Sequence, residues 1–204
     1  MDELVLYGDR RFVSPWVLSV WTALREKALP FRVEVFDLHA GEHRQGAFAA
    51  HNPTGKVPGL QHGDFWIGES LAILEYLEEA FPQAKRLLPE GARERARDRQ
   101  VLSFLRTDLL EMRRCLPFEG VVGSERGPGL TEAAARDLGR LVRLVSTRPP
   151  LEGREPTLAD YELAFALRRP IHHGVEVIAD AQLFSEAIWQ RPSVQSWVRH
   201  PSRG

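Results

Sequence analysis

The stretch NPTGKVPGLQHGDFWIGESLAILEYLEEAFP, residues 52–82, decides the fold. Val57-Pro58 opens a strand, and a proline there removes a ladder hydrogen bond, so the strand belongs at an edge or at a bend. A cis Val57-Pro58 bond would turn the chain and leave the Val57 N–H and C=O free to pair with an extended peptide, whereas the ordinary trans bond would not. Around His62-Gly63-Asp64 lie two short apolar segments, which predicts a hairpin over 56–70. Leu71, Leu74, Leu77 and Phe81 then fall on one helical stripe, predicting a helix over 70–81 that FPQA stops. The segment therefore closes an α/β unit with two strands and a helix.

Upstream, LVLY (4–7) has strand length and β propensity. Val17, Val20, Trp21 and Leu24 follow at i, i+3, i+4 and i+7, the spacing of a helix. FRVEVFDL (31–38) alternates Phe31, Val33 and Val35 with polar neighbours, as a half-buried strand does. The predicted order is βαβ, a short helix, then ββα. From Pro82 to Pro89 the texture changes to helices. One is expected over 92–116, with Val101, Leu102, Leu105, Leu109 and Met112 on its apolar face. A Gly-containing connection (118–130) precedes helical patterns at 131–145, 157–167 and around 180–198. The fold class is thus α/β plus all-α, with domains at 1–82 and 90–204.

Composition narrows the function. At 204 residues and 43% hydrophobic, the chain can bury a sizeable core. Its 27 basic and 28 acidic residues leave a formal charge of −1, so there is no overall field to hold nucleic acid or an anionic membrane. The single cysteine, Cys115, excludes an intrachain disulfide and a thiolate metal site, and fits a reducing compartment. Seven histidines form no metal-binding motif. The acidic start MDELVLYG is unlike a signal peptide, and no apolar run approaches the ~20 residues that span a bilayer, so a cytoplasmic location is expected.

Two helix starts carry the chemistry. Ser14-Pro15 heads the first helix: serine caps free N–H groups and proline suits the first helical position, yet the same hydroxyl can be presented to an anion there. Glu69-Ser70 heads the last helix of the first domain. It is equally a cap with a neighbouring acid or a place for a ligand's carboxylate, with Glu69 available to an ammonium. Arg106, Arg113 and Arg114 either line a pocket of the second domain or face solvent, and Cys115 is expected to be a small core residue. Thr157-x-x-Asp160 has the spacing of a capping box.

Taken in order, SPW after the first strand, NPTGKVP, GDFWIGESLAILEYLEEAFP and EGREPTLADYELA make the sequence similar to a cytosolic glutathione transferase over nearly the whole chain. The nearest likeness is to serine-type bacterial members of theta, zeta or tau character. The resemblance implies a thioredoxin-like first domain that binds glutathione and a helical second domain lining the electrophile pocket. It assigns the catalytic hydroxyl to Ser14, with Tyr7, near the position used by tyrosine-type classes, as the competitor. It gives the cysteinyl backbone to Val57 before a cis-proline, the γ-glutamyl end to Glu69 and Ser70, and the glycine carboxylate to Lys56 and His43. Where serine-type members often carry an arginine a few residues after SPF, this chain has VLSV. The resemblance further implies glutathione as cosubstrate, no metal, a small electrophile or peroxide as partner, and a homodimer. Conjugation and peroxide or disulfide reduction both remain open, as does a non-catalytic interaction or ligand-carrier protein on the same fold.

Overall fold

A computed structural model of the chain describes residues 2–122, 127 and 129–201. It divides into two compact units: residues up to Arg86 together with those from Ser193 onward, and Leu87–Pro192. The last turn of the chain, placed from sequence in the second domain, therefore groups with the first.

The first unit runs β1 (Leu4–Asp9), α1 (Pro15–Glu26), β2 (Arg32–Phe36), a 3-10 turn (Glu42–Arg44), α2 (Gly46–His51), β3 (Gly59–His62), β4 (Phe65–Gly68) and α3 (Ser70–Ala80). The strands form one sheet in the order β2-β1-β3-β4, with β1 parallel to β2 and antiparallel to β3. This is the expected βαβ–ββα order in thioredoxin-like form. β3 lies inside the sheet, so the edge position allowed for the Pro58 strand is not the one taken. Pro58 stands just before β3, where the missing N–H breaks no ladder bond.

Val17, Val20, Trp21 and Leu24 of α1 are all buried, as their spacing predicts. In α3 the buried stripe is Ile73, Leu74 and Leu77, with Leu71 and Phe81 only half-buried, so the helix is rotated from the expected face. One buried ion pair ties the end of α1 to α3. Lys27 Nζ lies 2.6 Å from Glu78 Oε1 and donates to the Lys85 carbonyl at 2.9 Å.

The second unit is helical: α4 (Ala92–Thr107), α5 (Leu110–Cys115), α6 (Phe118–Val122), α7 (Glu132–Ser146), α8 (Leu158–His172) and α9 (Ala179–Trp189), before α10 (Pro192–Val198) returns the chain to the first unit. The single helix expected over 92–116 is broken. Asp108 ends α4, fixed by Arg140 at 2.5 Å and by Thr107 Oγ1 at 2.9 Å, and Leu109 takes φ 58° so that its side chain turns inward. The supposed connection after Pro117 begins as α6, and its residues 123–126 and 128 lie outside the described set. Thr157 and Asp160 form the expected capping box.

Candidate functional site

Strand register gathers the singled-out residues at one end of the sheet. Tyr7, near the C-terminal end of β1, pairs with Gly59 at the start of β3, and Gly59 pairs with Gly68 at the end of β4. β2 runs parallel to β1 and finishes beside it, Phe36 opposite Asp9. The loop carrying Ser14, the turn holding His43, the Lys56-Val57-Pro58 segment and the Glu69-Ser70 start of α3 therefore all issue from that end.

Ser14 is the N-cap of α1, in extended geometry, and its Oγ accepts the Val17 N–H at 3.4 Å. The bond is long and uses an oxygen lone pair, leaving the hydroxyl proton free to donate elsewhere. Capping and presentation to a ligand are thus compatible. The preceding loop is fixed mainly by Asp9, which is 4% exposed. Its carboxylate accepts the Val13 N–H at 2.8 Å and the Ser14 N–H at 3.1 Å. Arg10 binds Glu42 with both carboxylate contacts at 2.9 Å, tying this loop to the turn that carries His43.

The Val57-Pro58 bond is cis. Asn52, almost fully buried, organises the approach to it. Its Nδ2 donates to the Lys56 carbonyl at 2.8 Å while its Oδ1 accepts from Thr54 Oγ1 at 2.9 Å. The cross-strand pair Gly59 and Gly68 leaves the room. A Cβ on Gly68 would lie 2.7 Å from Asn52 Oδ1, and one on Gly59 would lie 2.6 Å from the Phe48 ring. Glu69 has φ 64° and ψ 115°, a costly conformation for a non-glycine residue and one held by its surroundings. Its carbonyl accepts from Ile73 at 3.0 Å, but its exposed carboxylate makes no capping bond. Ser70, 6% exposed, begins α3.

What distinguishes this end is polar capacity left unspent. Among the described residues, the Ser14 hydroxyl proton, the Val57 N–H and C=O, the Glu69 carboxylate and the Lys56 ammonium take no partner. His43 is 8% exposed and its Nδ1 is buried without a hydrogen bond. Tyr7 differs. A Cβ on Gly8 would meet Val17 of α1, so Gly8 faces α1 and its neighbour Tyr7 faces the opposite side of the sheet. There its ring packs against Phe36, Phe48 and Trp66, and its hydroxyl donates to Gln61 Oε1 at 2.9 Å. Burial, reinforced by Glu34, raises the phenol's pKa.

Sequence reasoning missed Asp9 and Asn52. An Asp five residues before a helix N-cap, and an Asn before Pro-Thr-Gly, are the local signals that side-chain-to-backbone bonding leaves. The three arginines of the second unit turn out to be engaged. Arg106 is paired with Glu162, one contact being 2.6 Å, rather than facing solvent. Arg113, its charge disfavoured by burial, donates to the Arg106 carbonyl at 3.0 Å. Arg114 pairs with Glu111 on the surface at 2.6 Å. Cys115 is fully buried. Among the described residues no group of His, Cys, Asp or Glu is placed to hold a metal ion, and no helix is long and apolar enough to cross a membrane.

Two family models match the chain: the glutathione S-transferase N-terminal domain over residues 13–80 and the glutathione S-transferase C-terminal domain over residues 91–202. The chain belongs to the glutathione S-transferase family. Among curated relatives of this transferase-family chain, glutathione S-transferase 1 of Dianthus caryophyllus is 42% identical over 53% of this chain and 48% of its own length. Human glutathione S-transferase theta-1 is 29% identical over 95% of this chain and 80% of its own length. A crystal structure of a glutathione transferase homolog from Burkholderia, with bound glutathione, superposes with a TM-score of 0.76 at 29% identity, covering 96% of both chains.

Proposed function

We propose that this family member binds glutathione at the open end of its sheet and uses Ser14 to hold the thiol as thiolate, which then attacks a small electrophile. The observation that carries the reading is the set of unspent groups there, because it complements a zwitterionic tripeptide. Glu69 meets the γ-glutamyl ammonium, and Ser70 at the N-terminus of α3 meets the adjoining carboxylate. The Val57 N–H and C=O pair with the cysteinyl backbone as an added strand. Lys56 and His43 meet the glycine carboxylate.

The sulfur then lies toward Ser14. A free thiol has a pKa of about 8.5, leaving a few per cent ionised at pH 7. Lowering it by about two pH units needs about 2.7 kcal/mol of preference for the thiolate. A hydroxyl donating to the anion, with the N-terminal field of α1 behind it, is of the right size. Tyr7 is the weaker activator, since its proton is committed to Gln61 and its phenol is pushed away from ionisation. In conjugation the thiolate forms a bond to an electrophilic carbon and the leaving group departs with its electron pair. With a peroxide the sulfur takes the terminal oxygen as the O–O bond breaks and the other oxygen leaves as an alcohol, and a second glutathione thiol then resolves the sulfenic acid to disulfide and water. The first domain has no cysteine, so either route uses glutathione's own thiol. We place the protein in the cytoplasm as a homodimer, with the division at 82 and 90 separating the glutathione-binding half from the half that recognises the electrophile.

Retention on immobilised glutathione, with turnover of a chromogenic aryl halide and of an organic hydroperoxide, tests the reading. The wild-type chain should be retained and should turn over at least one substrate. Ser14→Ala should stay bound and lose turnover by about 100-fold, as when one preorganised donor is removed from a developing anion. Retention without turnover by the wild type would favour a non-catalytic ligand carrier. Equal turnover by wild type and Ser14→Ala would move the activating role away from Ser14.

A further inference from the structure

The loop that delivers Ser14 passes through an unfavourable backbone conformation two residues earlier. Phe12 has φ 52°, a region that bulky side chains rarely occupy and that persists only where the surroundings enforce it. Its N–H donates to the Asp9 carbonyl at 3.1 Å. Its ring is 1% exposed, and its neighbours come largely from the far end of the chain. The His200 ring stacks on it with centroids 4.4 Å apart and planes 21° from parallel. The Trp197 ring lies 4.7 Å away, and Trp21 of α1 meets it edge-on at 6.4 Å.

These rings are themselves fastened. Trp21 Nε1 donates to Ser196 Oγ at 2.9 Å, and Ser196 Oγ donates to the Ser193 carbonyl at 2.8 Å. Ser193 Oγ donates to Glu26 Oε1, at the end of α1, at 2.6 Å. The His200 N–H donates to the Trp197 carbonyl at 3.1 Å, and the His200 ring stands edge-on to Trp21 at 5.3 Å. The segment from Ser193 to His200 is thus bolted to α1 and presents two rings to the one strained residue of the Ser14 loop.

We propose that Trp197 and His200 are positioning residues for Ser14, acting through Phe12 to hold the loop in the conformation that aims the hydroxyl at the glutathione sulfur. The inference rests on the thiol-activating reading of Ser14. Removing the stack lets Phe12 relax to negative φ, which rotates the following peptide groups and loosens the Asp9 bonds to Val13 and Ser14. Misplacing a donor in this way weakens the thiolate without removing any group that touches it. A core role alone would lower stability and leave the thiol's ionisation unchanged. Burial, with Arg25 nearby, lowers the His200 pKa, so its ring is neutral above pH 7 and phenylalanine is a fair replacement for it.

The test uses the full chain carrying His200→Ala or His200→Phe, each with and without Ser14→Ala. The thiolate absorbance of bound glutathione is titrated against pH, and a urea midpoint is recorded for each protein. His200→Ala should raise the apparent thiol pKa by about 0.5 or more, roughly a threefold loss of thiolate at fixed pH, and His200→Phe should restore it. In the Ser14→Ala background, His200→Ala should add nothing. A lower urea midpoint with an unchanged thiol pKa overturns the inference, and so does an equal shift in both backgrounds. If Ser14→Ala itself leaves the thiol pKa at the wild-type value, the thiol-activating reading falls and this inference falls with it. If Ser14→Ala shifts the pKa and His200→Ala does not, only the inference falls.

Discussion

The open end of the sheet and the helical unit are held by opposite means. At the sheet end, side chains bind backbone close by in sequence: Asp9 to residues 13 and 14, Asn52 to the carbonyl of Lys56. In the helical unit, charged side chains are instead paired with one another. Arg148 reaches Asp98 at 2.6 Å and Asp160 at 2.8 Å, Arg154 reaches Asp160 at 2.6 Å, and Arg106 pairs with Glu162. The first arrangement fixes loop geometry while leaving polar groups free for a ligand. The second spends its polar groups on one another, and so contributes to the fold rather than to chemistry.

That contrast can be broken by substitution, and the largest effect should come from Asp160→Ala. The carboxylate is fully buried and receives both arginines and the Thr157 N–H at 2.8 Å. Removing it strands buried charge and should cost about 3–5 kcal/mol in a urea titration, while folded protein keeps its affinity for glutathione. Burial pulls the Asp160 pKa up, but the hydrogen bonds from Arg154 and Arg148 outweigh this and hold it low. Its contribution is therefore full above the unfolded-chain value of about 3.9 and is lost as pH falls through the lower folded value. Acid unfolding of the wild type should show this loss, and Asp160→Ala should lack it.

Gly68→Ala should come next. Its Cβ would lie 2.7 Å from an Asn52 oxygen that Thr54 also binds, so the clash cannot be relieved by a free rotation. A cost of about 1–3 kcal/mol is expected, and here glutathione affinity should fall too, because Asn52 braces the Val57 segment. Unchanged binding would detach that loop from ligand recognition. The smallest effect should be that of Tyr7→Phe, which removes one half-buried hydrogen bond to Gln61 for about 1 kcal/mol. Turnover should be unaltered, and a loss comparable to that of Ser14→Ala would restore Tyr7 as the activator.

The same division explains what was legible in the sequence. Ser14-Pro15, the hairpin about His62-Gly63-Asp64 and the Thr157–Asp160 box are local patterns, and each lies where its spacing places it. The break at Asp108-Leu109 was not legible, because the apolar period runs through it and the Arg140 that holds Asp108 is thirty-two positions away. Nor was Arg106, whose partner Glu162 is fifty-six positions on and leaves no periodic trace. The return of α10 to α1 hangs on Trp21 and Ser196, which only folding brings together. In the site, the residues proposed to face the ligand lie in short motifs, whereas Phe12 acts through backbone geometry that composition does not record.

In the proposed mechanism, Ser14 holds a glutathione sulfur in its ionised form. Titrating the ultraviolet absorbance of glutathione bound to wild type and to Ser14→Ala tests it most directly. A bound thiol pKa of about 6.5 is expected in the wild type, about two below the free value of about 8.5, with a return most of the way to the free value in Ser14→Ala. Superimposable titration curves for the two proteins would contradict it.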